Sequence, residues 1–457
     1  MTADLAPAAS ATSGTSVPAT RVKSSASTTS QFGYPRGHLG HLSGHEAEAL
    51  DKFKNVLEER GAWKREPASH DDQTLLRYLR ARRWVVEDAY KQFKDTEDWR
   101  SANHIDTLYR TIQLDAYEQS RRLYPQWTGR RDRRGIPLYV FEIKNLDSKT
   151  VSEYERLGAK STFSDAQTDG KTTPGLLRLF ALYENLTRFS QPFCTQLTDR
   201  EFPDVPITMS TNIVDVSGVG LKQFWNLKGH MQAASQLATA HYPETLDRIF
   251  IIGAPFFFST VWGWIKRWFD PITVSKIFVL SPHEVKPTLE AFIEPRNIPK
   301  KYGGELDFSF GQLSVPDPSW EGVVAWENGY SSFPSGPLLW EDVDDGKRAA
   351  CVALGKDKGA PRNVRICTVP KTWPAEEDAQ TQTQTDGQGE GAGVTAEGTQ
   401  TNGEVSEGTQ TADETRDDGA QTEEADGITN GEIVEKLKLT EDKTAAAQVE
   451  VAPAAAA

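Results

Sequence analysis

Residues 254–276 read APFFFSTVWGWIKRWFDPITVSK and hold the densest chemistry in the chain. Four phenylalanines and three tryptophans crowd together, and an acid, a hydroxyl and a lysine follow in DPITVSK. On a helix starting near Ser259, Trp262, Ile265 and Phe269 share one face, while Val261, Trp264 and Trp268 form another. Lys266 and Arg267 are nearly its only polar breaks. Such a helix is either buried all round or meets a hydrophobic partner on one side. Core packing is the plainer reading. Tryptophan tips the balance towards a boundary between apolar and wet surroundings, and the two cations suit anionic lipid headgroups.

Covalent chemistry finds little support. The chain has no G-x-S-x-G elbow and no G-x-x-x-x-G-K-[ST] loop, and Gly218-x-Gly220 alone is weak evidence for a dinucleotide site. His230 and His241 do not fit H-E-x-x-H. His38, His41 and His45 sit in a loop and first helical turn without the cysteine or acidic partners a metal would need. The expectation is a protein without catalytic residues, metal or cofactor.

The elements that would position the aromatic run alternate. Ser43 and Glu46 form a capping box, and Ala47, Leu50, Phe53 and Leu57 continue as a helical stripe. DDQTLLRYLRARRWVVEDAYKQFKDTEDWRSAN reads as a pair of helices, with Leu75, Leu76 and Leu79 on one face and Ala89, Phe93 and Trp99 in the second helix. From Leu138 onward PLYVFEIK, PITMSTNIVDV, RIFIIGA and KIFVLS read as strands, separated by helical stretches at 175–191 and 221–242. The fold class is therefore α/β with a mainly parallel sheet beside a small helical amino-terminal module. The polar stretch Asp147–Thr173 reads as a long surface loop.

Charge divides the chain. Its net charge is −14, yet residues 375–457 hold 20 acidic and four basic residues, so the rest is close to neutral. The acidic tail repeats itself (GTQTNGEVSE, GTQTADETRDD, GAQTEEADG) and cannot bury enough apolar surface to fold. The division is a disordered segment 1–36, a helical module 37–110, an α/β domain 111–308, a small β-rich appendage 309–370 and a disordered tail 371–457. Within that tail, GEIVEKLKL (431–439) reads as a short amphipathic docking segment. No basic domain suggests nucleic acid. Three scattered cysteines suit a reducing compartment. The longest uncharged run, Ile249–Ile265, is 17 residues, but Gly253 and Pro255 interrupt it, and a membrane span is not expected.

DDQTLLRYLRARRW, IVDVSGVG, HYPETLDRIFIIGAPFFFSTVW, FDPITVSKI and PKKYGG occur in the order and spacing of the Sec14-like, or CRAL-TRIO, lipid-transfer family, in its fungal type. The resemblance covers about residues 37–308. It implies an apolar pocket floored by the sheet and covered by a mobile gate helix, here Ser259–Phe269, with Trp262 and Ile265 facing the ligand. It also implies a polar set for the inositol phosphate of phosphatidylinositol. In this chain the set resembles Arg82, Glu244, Thr273 and Lys276, with Arg83 as a second cation. Lys276 and Thr273 would hold the phosphodiester, Glu244 would accept from inositol hydroxyls, and Arg82 would brace them. The phosphatidylcholine set of the family is matched by Tyr139 and Ser210, while Thr128 and Asn212 replace a tyrosine and a threonine. Losing the tyrosine weakens cation–π recognition of choline. The dry chamber is expected around Ile213, Ile251 and Ile265.

The function this implies is transfer or exchange of phosphatidylinositol between membranes. The alternatives are presentation of that lipid to a kinase and a scaffold with a degenerate pocket. The implied partners are a phospholipid, a transiently contacted membrane, and a lipid kinase or tail-binding protein. A monomer is the default, cytoplasmic and peripheral on Golgi or other endomembranes.

Overall fold

The amino-terminal module follows from local signals. In the computed structural model, which describes residues 33–160, 162–268 and 274–373, helix α1 (Gly44–Glu59) opens on the expected capping box. The backbone amide of Ser43 donates to Glu46 at 2.8 Å, and that of Glu46 donates to the Ser43 hydroxyl at 3.4 Å. Helices α2 (Asp72–Ala81) and α3 (Val86–Ala102) pack on α1 through Phe53, Leu57, Leu75, Leu76, Leu79 and Phe93, all fully buried. Each such side chain contributes about 2–3 kcal/mol by leaving water. Two left-handed residues, Arg83 and Trp84, turn the chain between α2 and α3. All described residues lie in one compact unit, Met1–Asp386; the second unit, Gly387–Ala457, contains none of them.

Helices α4 (Ile105–Thr111) and α5 (Leu114–Leu123) lead into a five-stranded sheet. Its strands run in chain order: β1 (Gln126–Arg131), β2 (Pro137–Glu142), β3 (Ser210–Asp215), β4 (Leu246–Ile252) and β5 (Ile277–Val279). Only β1 is antiparallel to its neighbour; the other pairs are parallel, as the alternation of strands and helices predicts. Every residue of β2 is buried, so both faces of the sheet are covered. The back face presents Leu138, Val140, Ile213 and Phe250 to a layer containing Leu289, Ile293 and Tyr302. The PKKYGG turn closes this layer. Its Lys301 bridges Glu142 at 2.6 Å and Asp215 at 2.8 Å, pinning the turn to the ends of β2 and β3.

The front face is covered by helices α7 (Pro174–Asn185) and α9 (Leu221–His241). Helix α7 continues through a widened π turn (Leu186–Ser190) into α8 (Gln191–Gln196). Pro192 cannot donate to the preceding turn, which favours such a widening. Residues 148–160 correct one sequence expectation. The supposed loop contains helix α6 (Ser148–Lys160), anchored by Tyr154, whose hydroxyl bonds Ser120 at 2.7 Å and the Gly175 carbonyl at 3.1 Å. Helix α10 (Phe258–Ile265) follows β4, and α11 (Pro282–Phe292) follows β5.

Residues 309–373 carry a second, antiparallel sheet: β6 (Ala325–Trp326), β7 (Leu338–Val343), β8 (Arg348–Asp357) and β9 (Ala360–Pro370), ordered β6-β9-β8-β7. Its central strand β8 is buried on both faces. On one side Ala349, Cys351 and Ala353 join Trp127, Phe193 and Trp320 in a single cluster. On the other, Val352 and Leu354 pack against Ile105, Tyr109 and Ile112. This sheet therefore shares its hydrophobic clusters with the α/β domain. The three cysteines are free and buried.

Candidate functional site

A cavity of about 330 Å³ lies between the front face of the sheet and helices α7 and α9. Strand pleating decides its floor. Side chains alternate along a strand, so Tyr139 and Phe141 on β2, Ser210, Asn212 and Val214 on β3, and Ile249 on β4 face it together. Leu179, Leu182, Tyr183 and Leu186 form a wall.

The roof explains why space is left. Helix α9 turns Met231, Ala234, Ser235, Ala238 and Thr239 towards the cavity, a stripe at helical spacing. Three of these five are alanine or serine, too small to reach the sheet. Leu227 is the sole buried residue of this 21-residue helix. A helix covering a filled core would bury a whole stripe. Instead α9 is fastened at separate points. Gln223 donates to the carbonyls of Lys144 and Leu146 at 3.1 and 3.2 Å. The Tyr124 hydroxyl and His230 Nε2 are hydrogen-bonded at 2.5 Å, and burial pushes the imidazole down. At the far end Gln92 donates to the carbonyls of Thr239 and Ala240 at 3.1 and 2.9 Å. His241 stacks on Trp99 there at 4.2 Å, and burial together with Arg100 lowers it to about 4.

Arg82, Glu244 and Lys276 all border the cavity, and two of them, Glu244 and Lys276, meet. Lys276 contacts Glu244 at 3.1 Å and donates to the Leu246 carbonyl at 3.0 Å. Its own carbonyl receives the Ile249 amide at 3.0 Å, so the lysine is fixed at the start of the β4–β5 pairing. Glu244 sits in the left-handed region at φ +55°. A non-glycine residue held there costs on the order of 1–2 kcal/mol. The turn that carries it is braced by buried Arg77, whose Nε donates to the Pro243 carbonyl at 3.0 Å. Arg82 ends α2 and borders a second, outer cleft as well, formed with Asp88, Lys91, Gln92, Asp95 and His241. Ser210 and Asn212 share the front face, as their spacing predicts. Asn212 donates to the Ser210 hydroxyl at 3.0 Å, and that hydroxyl donates to the Thr245 carbonyl at 3.1 Å. Tyr139 bonds Ser190 of the π turn at 2.8 Å.

Several expected positions fall elsewhere. Thr128 does not border the cavity. Its neighbour Trp127 pairs directly with Tyr139, so the pleat turns Thr128 to the other face, where its hydroxyl donates to the Leu138 carbonyl at 3.0 Å. The same alternation puts Ile213 behind the sheet. Ile251 belongs with Val216, Val219 and Phe258 to a cluster on which Trp262 packs, and neither Ile251 nor Trp262 lines the cavity. The side chain of Ile265, and the whole of Phe269 and Thr273, lie outside the described residues. The sequence reading missed Tyr124, Tyr183 and Gln92, which all border the cavity, and Arg80. Burial depresses Arg80 to about 10 against the opposing pull of Glu244. Gln92 carried a usable signal: an amide beside Val86, Ala89 and Phe93 on the buried face of α3. Nothing local marks the two tyrosines.

Among the described residues, no three His, Cys, Asp or Glu side chains are grouped to hold a metal, and no helix is long and apolar enough to cross a membrane. Two family models match the chain: the CRAL/TRIO domain over residues 121–304, and the CRAL/TRIO, N-terminal domain over residues 47–95. The SEC14 cytosolic factor of Eremothecium gossypii is 30% identical over 302 residues, covering 66% of this chain and 88% of that protein. The Sec14 cytosolic factor of Schizosaccharomyces pombe is 30% identical over 289 residues, covering 62% and 91%. A phosphatidylinositol/phosphatidylcholine transfer protein of Arabidopsis thaliana, SFH7, is 30% identical over 246 residues, covering 52% of this chain and 40% of its own length.

Proposed function

We propose that this chain, which belongs to the Sec14-like CRAL-TRIO family, takes phosphatidylinositol into the cavity beneath α9 and carries it between membranes. The observation that supports this reading most is the lining of the cavity. It is mostly apolar or aromatic, and it also holds the paired Lys276 and Glu244, with Arg82 among the bordering residues. Lys276 and Glu244 are paired at 3.1 Å. An incoming phosphodiester accepts from Lys276 and frees Glu244 to accept from inositol hydroxyls. Thr273 belongs to the same proposed set.

A carrier is needed for energetic reasons. Each acyl methylene exposed to water costs about 0.8 kcal/mol, so a diacyl lipid faces on the order of 20 kcal/mol. The gate, α10 with the residues after it, would open on a membrane so that the chains never meet water. Phe256, at its start, is 97% exposed. Between residues 216 and 269 the only acids are Glu244, which faces the cavity, and buried Asp247, while Lys222, Lys228, Lys266 and Arg267 flank the tryptophans. This combination suits an anionic bilayer surface. No covalent step is invoked.

Presentation of the lipid to a kinase is the second reading. It is favoured by Arg82 and Gln92, which border both the cavity and the outer cleft and so bring the polar lining close to the surface. Native mass spectrometry of the purified chain after exposure to phosphatidylinositol vesicles tests the common premise. A bound phosphatidylinositol is expected, and Lys276→Ala should lose it at least tenfold while melting like the parent. A well-folded Lys276→Ala chain that still binds and transfers the lipid would refute the headgroup assignment. Transfer between vesicles, compared with stimulation of a phosphatidylinositol kinase, separates the two readings.

A further inference from the structure

A second, smaller crevice of about 60 Å³ adjoins the cavity, and the two share Pro125, Tyr139 and Leu182 as walls. It has room for a few methylene-sized groups. Its far side is built from Leu313, Phe333, Pro334 and Leu338, which all lie beyond the residues matched by the family models. Its charged and amide side chains are already engaged, and Ser335 donates to Glu118. Arg121 donates to the carbonyls of Gly311 and Gln312 at 2.7 Å each and is paired with Glu118. Gln126 donates to the Arg121 carbonyl at 2.7 Å and accepts from the Gly311 amide at 2.9 Å. Asn185 donates to Tyr109 at 3.1 Å. What this leaves for a visitor is mainly carbon, chiefly Trp127, Phe189 and Phe333, with the hydroxyl-bearing Tyr117 and Ser314 beside it. Tyr139 stands between the two spaces, and its hydroxyl is held by Ser190 on the π turn.

We propose that this crevice receives the terminal methylenes of an acyl chain lying in the main cavity, with Tyr139 as the partition that sets how far the chain reaches. The inference rests on the lipid-binding reading above. It assigns a task to residues 313–338: they close the deep end of the site and make it selective for chain length. The occupant is fixed by continuity, because the crevice shares three walls with the cavity and offers no unpaired charge to a polar ligand.

The test uses the full chain and vesicles containing phosphatidylinositols of mixed acyl length, with the bound species read by native mass spectrometry after lipid extraction. Tyr139→Ala widens the passage between the two spaces and should enrich longer chains, by up to about fourfold for each further methylene accommodated. Leu313→Trp fills the crevice from its half-exposed rim and should shift the bound population to shorter chains. Leu313 is 40% exposed, so this variant decides the matter even where Tyr139→Ala does not fold. Unchanged chain profiles in folded, lipid-loaded variants would overturn the proposal and leave the headgroup reading standing. A parent chain that binds no phosphatidylinositol would overturn both.

Discussion

At the scale of single residues, the polar lining of the cavity is a set of mutual constraints. Glu244 occupies a backbone conformation that side chains disfavour, and Arg77 and the Lys276 pair hold it there. Strain that is retained at a site where charges converge fits a recognition role. Glu244→Ala removes the hydroxyl acceptor and leaves Lys276 paired only with the Leu246 carbonyl. Phosphatidylinositol affinity should fall by roughly tenfold, the worth of one charge-assisted hydrogen bond, measured by displacement of a fluorescent lipid. Thr128 gives the contrasting case. Its hydroxyl serves the β1–β2 connection and faces away from the cavity. Thr128→Ala should cost about 1 kcal/mol of stability and leave lipid uptake at the parental level. A loss of uptake in a folded Thr128→Ala chain would contradict the placement of that side chain.

At the scale of elements, α9 governs the volume of the site. Its inward stripe of Ala234, Ser235 and Ala238 keeps the roof from collapsing onto the sheet, and the helix is tied down by bonds from α3, from Tyr124 and from Gln223. Ala238→Phe puts a ring into the cavity without disturbing those ties. The expected result is a chain at least as stable in denaturant as the parent, since an apolar surface gains contacts, with lipid uptake reduced at least tenfold. A variant that still loads lipid normally would show that the ligand does not lie under α9. Helix α10, the proposed gate, touches the same helix through stacking of Trp264 on Trp225 at 5.4 Å.

At the scale of the whole molecule, a buried ion cluster joins the helical module to the α/β domain. Glu184 of α7 pairs with Arg100 of α3 at 2.7 Å, with Arg188 at 2.6 Å, and accepts from Tyr242 at 2.6 Å. Burial works to raise its carboxyl, but the two guanidinium groups and the tyrosine outweigh that and hold it down at about 2. A folded pKa below the unfolded value of about 4.5 contributes stability above that value, and the contribution is lost as pH falls from 4.5 towards 2. It is worth on the order of 3 kcal/mol. Acid titration of the melting temperature should therefore fall in that window, and Glu184→Gln should flatten the fall. Glu184→Ala leaves Arg188 to Asp106 and Arg100 to Asp106 and Glu97, and should cost about 1–3 kcal/mol at neutral pH. Equal acid sensitivity in the parent and Glu184→Gln would show that other carboxylates carry it. Because Tyr242 also lines the cavity, this cluster ties the docking of the module to the shape of the site.

The sequence by itself determined what local interactions decide. The Ser43–Glu46 box set the start of α1, apolar spacing set α2 and α3, and the alternation of strands and helices set a mainly parallel sheet. The motifs RARR, YPE and TVSK named the charged residues, three of which border one cavity. Tertiary structure alone decided which face each strand turns to the ligand. With every residue of β1 and nearly every residue of β3 buried, their sequences carry no polar alternation to distinguish front from back, so Thr128 and Ile213 were assigned to the wrong side. Helix α6 was hidden because its polar face dominates its composition, while Tyr154 finds its partners Ser120 and Gly175 far away in the chain. The cavity itself is made by side chains that are too short to meet, and a distance between elements is not written in any one of them. The burial of residues 309–373 against the domain before them has the same origin: β8 reads as a small strand, and only its neighbours on both sides make it core.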